Sequence, residues 1–139
     1  MDKTNLDNVK AGDALPALQM APISRTTLAL YAGASGDHNP IHIDIDFAKS
    51  AGLQDVFAHG MLSAAYLGRL VSNWAGQKRM RSLAVRFTAI THVHDAPLCT
   101  GKVIERFEQD GEVRLRLDIQ CANHSGEVKL TGQAVVAVH

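Results

Sequence analysis

Two groups able to move protons near neutral pH, Asp37 and His42, stand five residues apart in the stretch GDHNPIHID. In a helix or a strand that spacing would part their side chains. Pro40 lies between them and forces Asn39 toward extended geometry, so the segment is expected to be a shaped loop in which both can converge on one water. Histidine titrates near pH ~6.5 when unperturbed and so can donate or accept a proton. Aspartate is ordinarily a weak base and needs burial or charged neighbours to become a better one. Such a pair suits general acid–base chemistry. The bland alternative is that Asp37 stabilises a turn and His42 is a satisfied buried histidine. Asn39 either orients one of the pair or forms the turn alone.

A second place where chemistry is possible is the His59-Gly60 pair, which opens the strongest helical pattern in the chain. A helix N-terminus offers unpaired N–H groups and a positive dipole end to a developing oxyanion. With no side chain, Gly60 would let a carbonyl approach those amides. His59 is either a residue that packs its ring at the helix start or a direct participant. His38, His42, Asp44 and Asp46 have ligand-like types and spacings. The alternation of His42, Asp44 and Asp46 with Ile43 and Ile45 instead predicts an extended segment with one wet face, so no metal is expected. The histidines of THVHD read as surface residues at a strand end.

The elements that must position these groups divide the chain in two. The first half reads as helices and loops, the second as strands. Ser24 is positioned to cap a helix through RTTLALYAGAS, with Leu28, Tyr31 and Ala32 on one face and Gly36 as its stop. Asp46 is expected to cap a short helix, FAKSA, ending at Gly52. From His59, Leu62, Tyr66, Leu70 and Trp74 recur every four residues beside Leu67 and Val71, a broad apolar face that needs a broad partner. Four strands are predicted, over 82–89, 98–107, 112–122 and 127–138. Arg114, Arg116, Asp118 and Gln120 alternate with Val113, Leu115, Leu117 and Ile119, as in a sheet wet on one face. Asp110-Gly111 marks a hairpin. The stretch near Leu15 is a possible fifth strand.

One buried helix wrapped by a curved antiparallel sheet resembles the hot-dog fold, an α+β architecture. The motif YAGASGDHNPIHIDIDFAKSAG followed by FAHGML closely resembles the hydratase motif of the MaoC-like family, which includes (R)-specific enoyl-CoA hydratases. Gly36, Asp37, Asn39, Pro40, His42, His59 and Gly60 carry the match, and it extends more loosely over nearly all of 1–139, expected to be a single domain. The resemblance implies hydration of 2-enoyl thioesters, or the reverse dehydration. Asp37 and His42 would be the acid/base pair on one water, the Gly60 N–H the oxyanion donor, and Asn39 and His59 orienting or substrate-binding residues. It also implies an (R)-3-hydroxyacyl product and no cofactor. Gly68 departs from relatives that carry a hydroxyl around this helix position, which leaves the shape of the acyl pocket open. The alternatives are a hot-dog thioesterase, which would lack this loop, and a non-catalytic partner subunit of a two-chain hydratase.

Composition narrows the partners. Lys+Arg and Asp+Glu balance at 14 each, so no global positive field attracts nucleic acid. The N-terminal residues lack an apolar core of the secretory kind, and no stretch approaches the roughly 20 apolar residues that cross a bilayer, so a cytoplasmic protein off the membrane is expected. Cys99 and Cys121 have neither metal-like nor redox-like spacing and read as buried thiols. Lys78, Arg79 and Arg81 are either a solvated turn or a contact for coenzyme A phosphates or an acidic acyl carrier protein. Four or five strands leave sheet edges exposed, which together with the resemblance predicts a homodimer.

Overall fold

The computed structural model describes residues 4–139. The apolar stretch ahead of the first helix contains the short strand β1 (Leu18–Gln19), and α1 (Arg25–Ser35) follows. Ser24 caps α1 by accepting the Thr27 N–H at 3.0 Å, and Gly36 ends it in the left-handed region, φ 78°, which a residue without a Cβ adopts readily. A 3₁₀ turn (Pro40–His42) leads into α2 (Ile45–Ser50), and the long helix α3 spans Gly60–Ala75. After a second 3₁₀ turn (Gln77–Arg79) come β2 (Met80–Phe87), β3 (Leu98–Gln109), β4 (Glu112–Ala122) and β5 (Val128–Ala137).

Two local expectations are corrected. The segment from His42 to Asp46 is not extended. Pro40 starts a 3₁₀ turn, where its fixed φ and missing N–H fit the first position, and helix resumes at Ile45. The cap of α2 is Asp44, not Asp46: Asp44 Oδ1 accepts the backbone N–H groups of Asp46 and Phe47 at 3.0 and 3.2 Å. Asp46 sits one turn position too late to reach them.

The strands form one antiparallel sheet in the order β1-β3-β4-β5-β2. Its consecutive hairpins are β3-β4 and β4-β5, the first turning at Asp110 and Gly111, whose φ values are 54° and 73°. β2, which follows α3, pairs only with β5 and so forms an edge. Leu115, Leu117, Ile119 and Cys121 of β4 face inward and pack with Leu67, Leu70 and Val71 of α3. Burial of each such side chain contributes about 1.5–3 kcal/mol, so the helix-to-sheet contact is the main source of stability. This is the hot-dog arrangement, an α+β fold. Cys99 and Cys121, directly paired across β3 and β4, are free and buried within that core. The hydrogen bond with the neighbouring Cys121, and then burial, push Cys99 far up, so it stays a thiol.

Candidate active site

Asp37 follows the left-handed Gly36 and stays exposed at the end of α1. Its Oδ1 accepts the Asn39 N–H at 3.2 Å, and the Asn39 side chain in turn accepts the Ile41 N–H at 3.1 Å, so Asn39 caps the 3₁₀ turn. That turn carries His42 inward, leaving it 8% exposed. His42 Nδ1 lies 2.8 Å from the Phe57 carbonyl oxygen, which can only accept. Nδ1 therefore carries a hydrogen, and in the neutral ring Nε2 is the basic atom. The ring edge of Phe57 packs on the same imidazole, centroids 4.9 Å apart at 82°.

His59 binds the pair from behind. It is 1% exposed, its Nε2–H donates to the Asp37 carbonyl at 3.1 Å, and its ring stacks on His42 at 4.0 Å and 28°. Tyr31 of α1 meets its other side edge-on at 4.8 Å. Burial pushes the His59 pKa below the usual imidazole value, against the opposing Asp37 carbonyl, so a neutral ring is favoured and its Nδ1 has no partner. Burial first, and then the Asp37 charge, push the Tyr31 hydroxyl up.

One donor atom from each of Asp37, His42 and His59 lies within 4.8 Å of the others. By type these three form a possible metal set, which shares only His42 with the His38, His42, Asp44 and Asp46 combination suggested by spacing. One nitrogen of each ring is already taken up by a backbone carbonyl, His42 Nδ1 at Phe57 and His59 Nε2 at Asp37. This leaves one nitrogen free on each stacked ring, an arrangement suited to passing protons. His38 is exposed and Asp44 is occupied as a cap.

Gly60 is the first residue of α3, and no side chain caps that helix start. The space a side chain would take is filled: a Cβ on Gly60 would come 2.8 Å from the Phe87 ring. A side chain at Gly60 would make the exposed Phe87 ring swing aside. Gly68, where a hydroxyl was missed, faces Leu83 of β2 instead. Sequence reading overlooked Phe57, Phe87 and the ring of Tyr31. Phe57 acts through its backbone carbonyl, a group every residue has, so its type gave no signal.

The remaining candidates lie apart from this cluster. His92 and His94 are exposed, as expected for THVHD. Arg79 donates to the Thr4 and Ala75 carbonyls and Arg81 pairs with Glu112, which leaves Lys78 as the solvated member of the basic run. A large groove on the outer sheet face, lined by Lys102, Asp118 and Gln133 among others, contains no histidine.

The hot-dog fold thus gathers an acid and two histidines at the start of its central helix. The chain belongs to the MaoC-like hydratase/dehydratase family: the MaoC like domain matches residues 8–110. It is 31% identical over 121 residues to the fatty acid synthase subunit beta of Saccharomyces cerevisiae, covering 79% of this chain and only 6% of that protein's length. It is 28% identical over 134 residues to the (R)-specific enoyl-CoA hydratase of Rhodospirillum rubrum, covering 95% of this chain and 90% of the relative. Among solved structures, the R-hydratase PhaJ1 from Pseudomonas aeruginosa superposes with a TM-score of 0.85 at 25% identity, over 97% of this chain and 86% of that one.

Proposed function

We propose that this chain, as a single domain over 1–139, reversibly adds water to 2-enoyl thioesters to give (R)-3-hydroxyacyl thioesters. The observation that carries the reading is the convergence of Asp37 and His42 beside the uncapped start of α3. A water between the pair gives a proton to one of them while its oxygen attacks the β-carbon of the enoyl group. The electron pair moves to the thioester oxygen, where the Gly60 N–H and the helix dipole stabilise it. A proton is then delivered to the α-carbon and the carbonyl reforms. His42 suits the base role because its Nδ1–H is held by Phe57 and its Nε2 is the basic nitrogen. His59 orients both partners, and Asn39 shapes the turn. The proton transfers ask for no cofactor, and the acyl carrier is coenzyme A or an acyl carrier protein.

The test is turnover of trans-2-enoyl-CoA and enoyl-acyl-carrier-protein substrates of varied length, with chiral separation of the products. Formation of mainly the (S) product overturns the stereochemical assignment. Release of free thiol in place of hydration supports a thioesterase. Activity restored only by adding a second protein supports a partner-subunit role.

The same reading includes a homodimer. β2 is an unpaired edge that exposes Leu83 and Phe87, an arrangement that invites pairing with a second copy. Sedimentation is expected to give twice the chain mass at micromolar concentration; a fully active monomer refutes it.

A further inference from the structure

Lys129 is 2% exposed, although an unpaired ammonium in a protein interior is costly. Its Nζ donates to the Ile90 carbonyl at 2.7 Å and to Glu127 Oε1 at 2.7 Å, and lies 3.5 Å from Asp95 Oδ2. Asp95 is also buried. Its carboxylate accepts the His92 backbone N–H at 2.9 Å and the Asn123 side-chain amide at 3.2 Å. Burial pushes the Asp95 carboxyl up, yet these donors and the Lys129 ammonium together hold it below the usual carboxylate value.

The network ties two regions far apart in sequence. Lys129 and Asn123 belong to the β4-β5 hairpin; Ile90, His92 and Asp95 belong to the connection between β2 and β3. On its other side that connection holds the segment just ahead of α3. The Ala58 N–H donates to the Thr91 carbonyl at 2.9 Å, and Phe57 forms a bridge with His92. Phe57 is the residue whose carbonyl receives the His42 Nδ1–H. A buried ion pair is seldom the most stable filling for an interior, because desolvation offsets much of its Coulombic gain; a role in fixing one geometry suits it better.

We infer that the buried Lys129–Asp95 pair is a positioning device for the active site, fixing the 90–95 connection and, through Thr91, His92 and Phe57, the orientation and tautomer of His42. The inference rests on the role proposed above for His42. Neither residue touches the reacting atoms. Their effect passes through the Phe57–His92 bridge and the Phe57 carbonyl, and a misplacement of about 1 Å at a reacting group can cost about 100-fold in rate.

The experiment compares the intact protein with Asp95→Asn, Lys129→Met and the double variant, using trans-2-butenoyl-CoA and imidazole nitrogen NMR of His42. Folding is checked by circular dichroism. The expected result for folded variants is kcat lowered by about 10- to 100-fold with KM within about twofold, the double variant no worse than the worse single. The His42 nitrogen shifts should move from the single Nδ1–H pattern toward a mixed average. Folded variants with unchanged kcat and an unchanged His42 pattern overturn the inference, whatever their melting temperatures. If Lys129→Met fails to fold, the near-isosteric Asp95→Asn decides. If the unmodified protein does not hydrate the thioester, the proposed activity fails, and the NMR pattern alone decides the positioning role.

Discussion

Asp37 and Asp95 are the same residue type in two loops with opposite designs. Among the described residues, the Asp37 carboxylate accepts one hydrogen bond, from within its own turn, and remains exposed. Asp95 is 8% exposed, with its two oxygens engaged by His92, Asn123 and Lys129. A carboxylate with free lone pairs can exchange protons but fixes little; one saturated by donors holds chain segments together and has no capacity left for chemistry. The fold holds both kinds, the free one beside His42, where the proposed chemistry puts its water, and the engaged one in the connection that holds Phe57 and Ala58.

Substitutions separate the two roles, starting with the largest effect. Asp37→Asn and His42→Ala are each expected to lower kcat by about 10² to 10⁴. The melting temperature stays nearly unchanged for exposed Asp37→Asn and falls for His42→Ala, which removes a buried ring bound to the Phe57 carbonyl. The proposed sharing of one water requires the double variant to be little worse than the worse single; losses that multiply would break the pairing. Asp95→Asn should move stability as well, lowering the free energy of unfolding by about 1–3 kcal/mol, because buried donors lose their charged acceptor while Glu127 still pairs with Lys129. An Asp95→Asn protein that melts like the unmodified one would erase the contrast.

Gly60→Ala puts a methyl group where the Phe87 ring lies. Because that ring is 51% exposed and can swing aside, the cost should stay at or below the lower end of the about 1–3 kcal/mol of core overpacking. Adding Phe87→Leu should restore much of that stability, read by denaturant unfolding. The smallest effect concerns pH. Burial, helped by His42, holds the His59 pKa below its ordinary value, so the unfolded chain takes up that proton first. The stability from neutral His59 is therefore complete above pH ~6.5 and declines as the pH falls below it. His59→Gln should melt with a shallower dependence on pH across that range; an unchanged slope would show that His59 makes no such contribution.

Much of the site was legible because its residues lie at short, fixed offsets. Gly36 to His42 lies in one helix end, loop and 3₁₀ turn, and His59-Gly60 starts one helix, so types and spacing, together with the resemblance to the MaoC-like motif, brought them forward. The sheet was legible from the alternation along β4 and from Asp110-Gly111. The misreadings have local causes. Five residues from His42 to Asp46 satisfy a two-residue period by chance, and two aspartates two residues apart offer the same cap to α2. The Lys129 network was invisible for a different reason: Ile90 and Asp95 are 39 and 34 positions from Lys129, and nothing in VKLTGQ marks its lysine as inward.

The strand order has a consequence for how the chain is made. β5 leaves the ribosome last of the five strands, yet it lies between β4 and β2. Until it is synthesised, β2 waits without its neighbour, and the 90–95 connection lacks the ammonium that anchors it. The acid and the histidine exist in the nascent chain from residue 42 onward, but their supporting frame closes only when a strand that begins 86 residues later inserts into the sheet. Translation thus delivers the reactive groups early and their alignment late, and a nascent chain stalled before β5 carries every residue of the proposed chemistry without the structure that aims it.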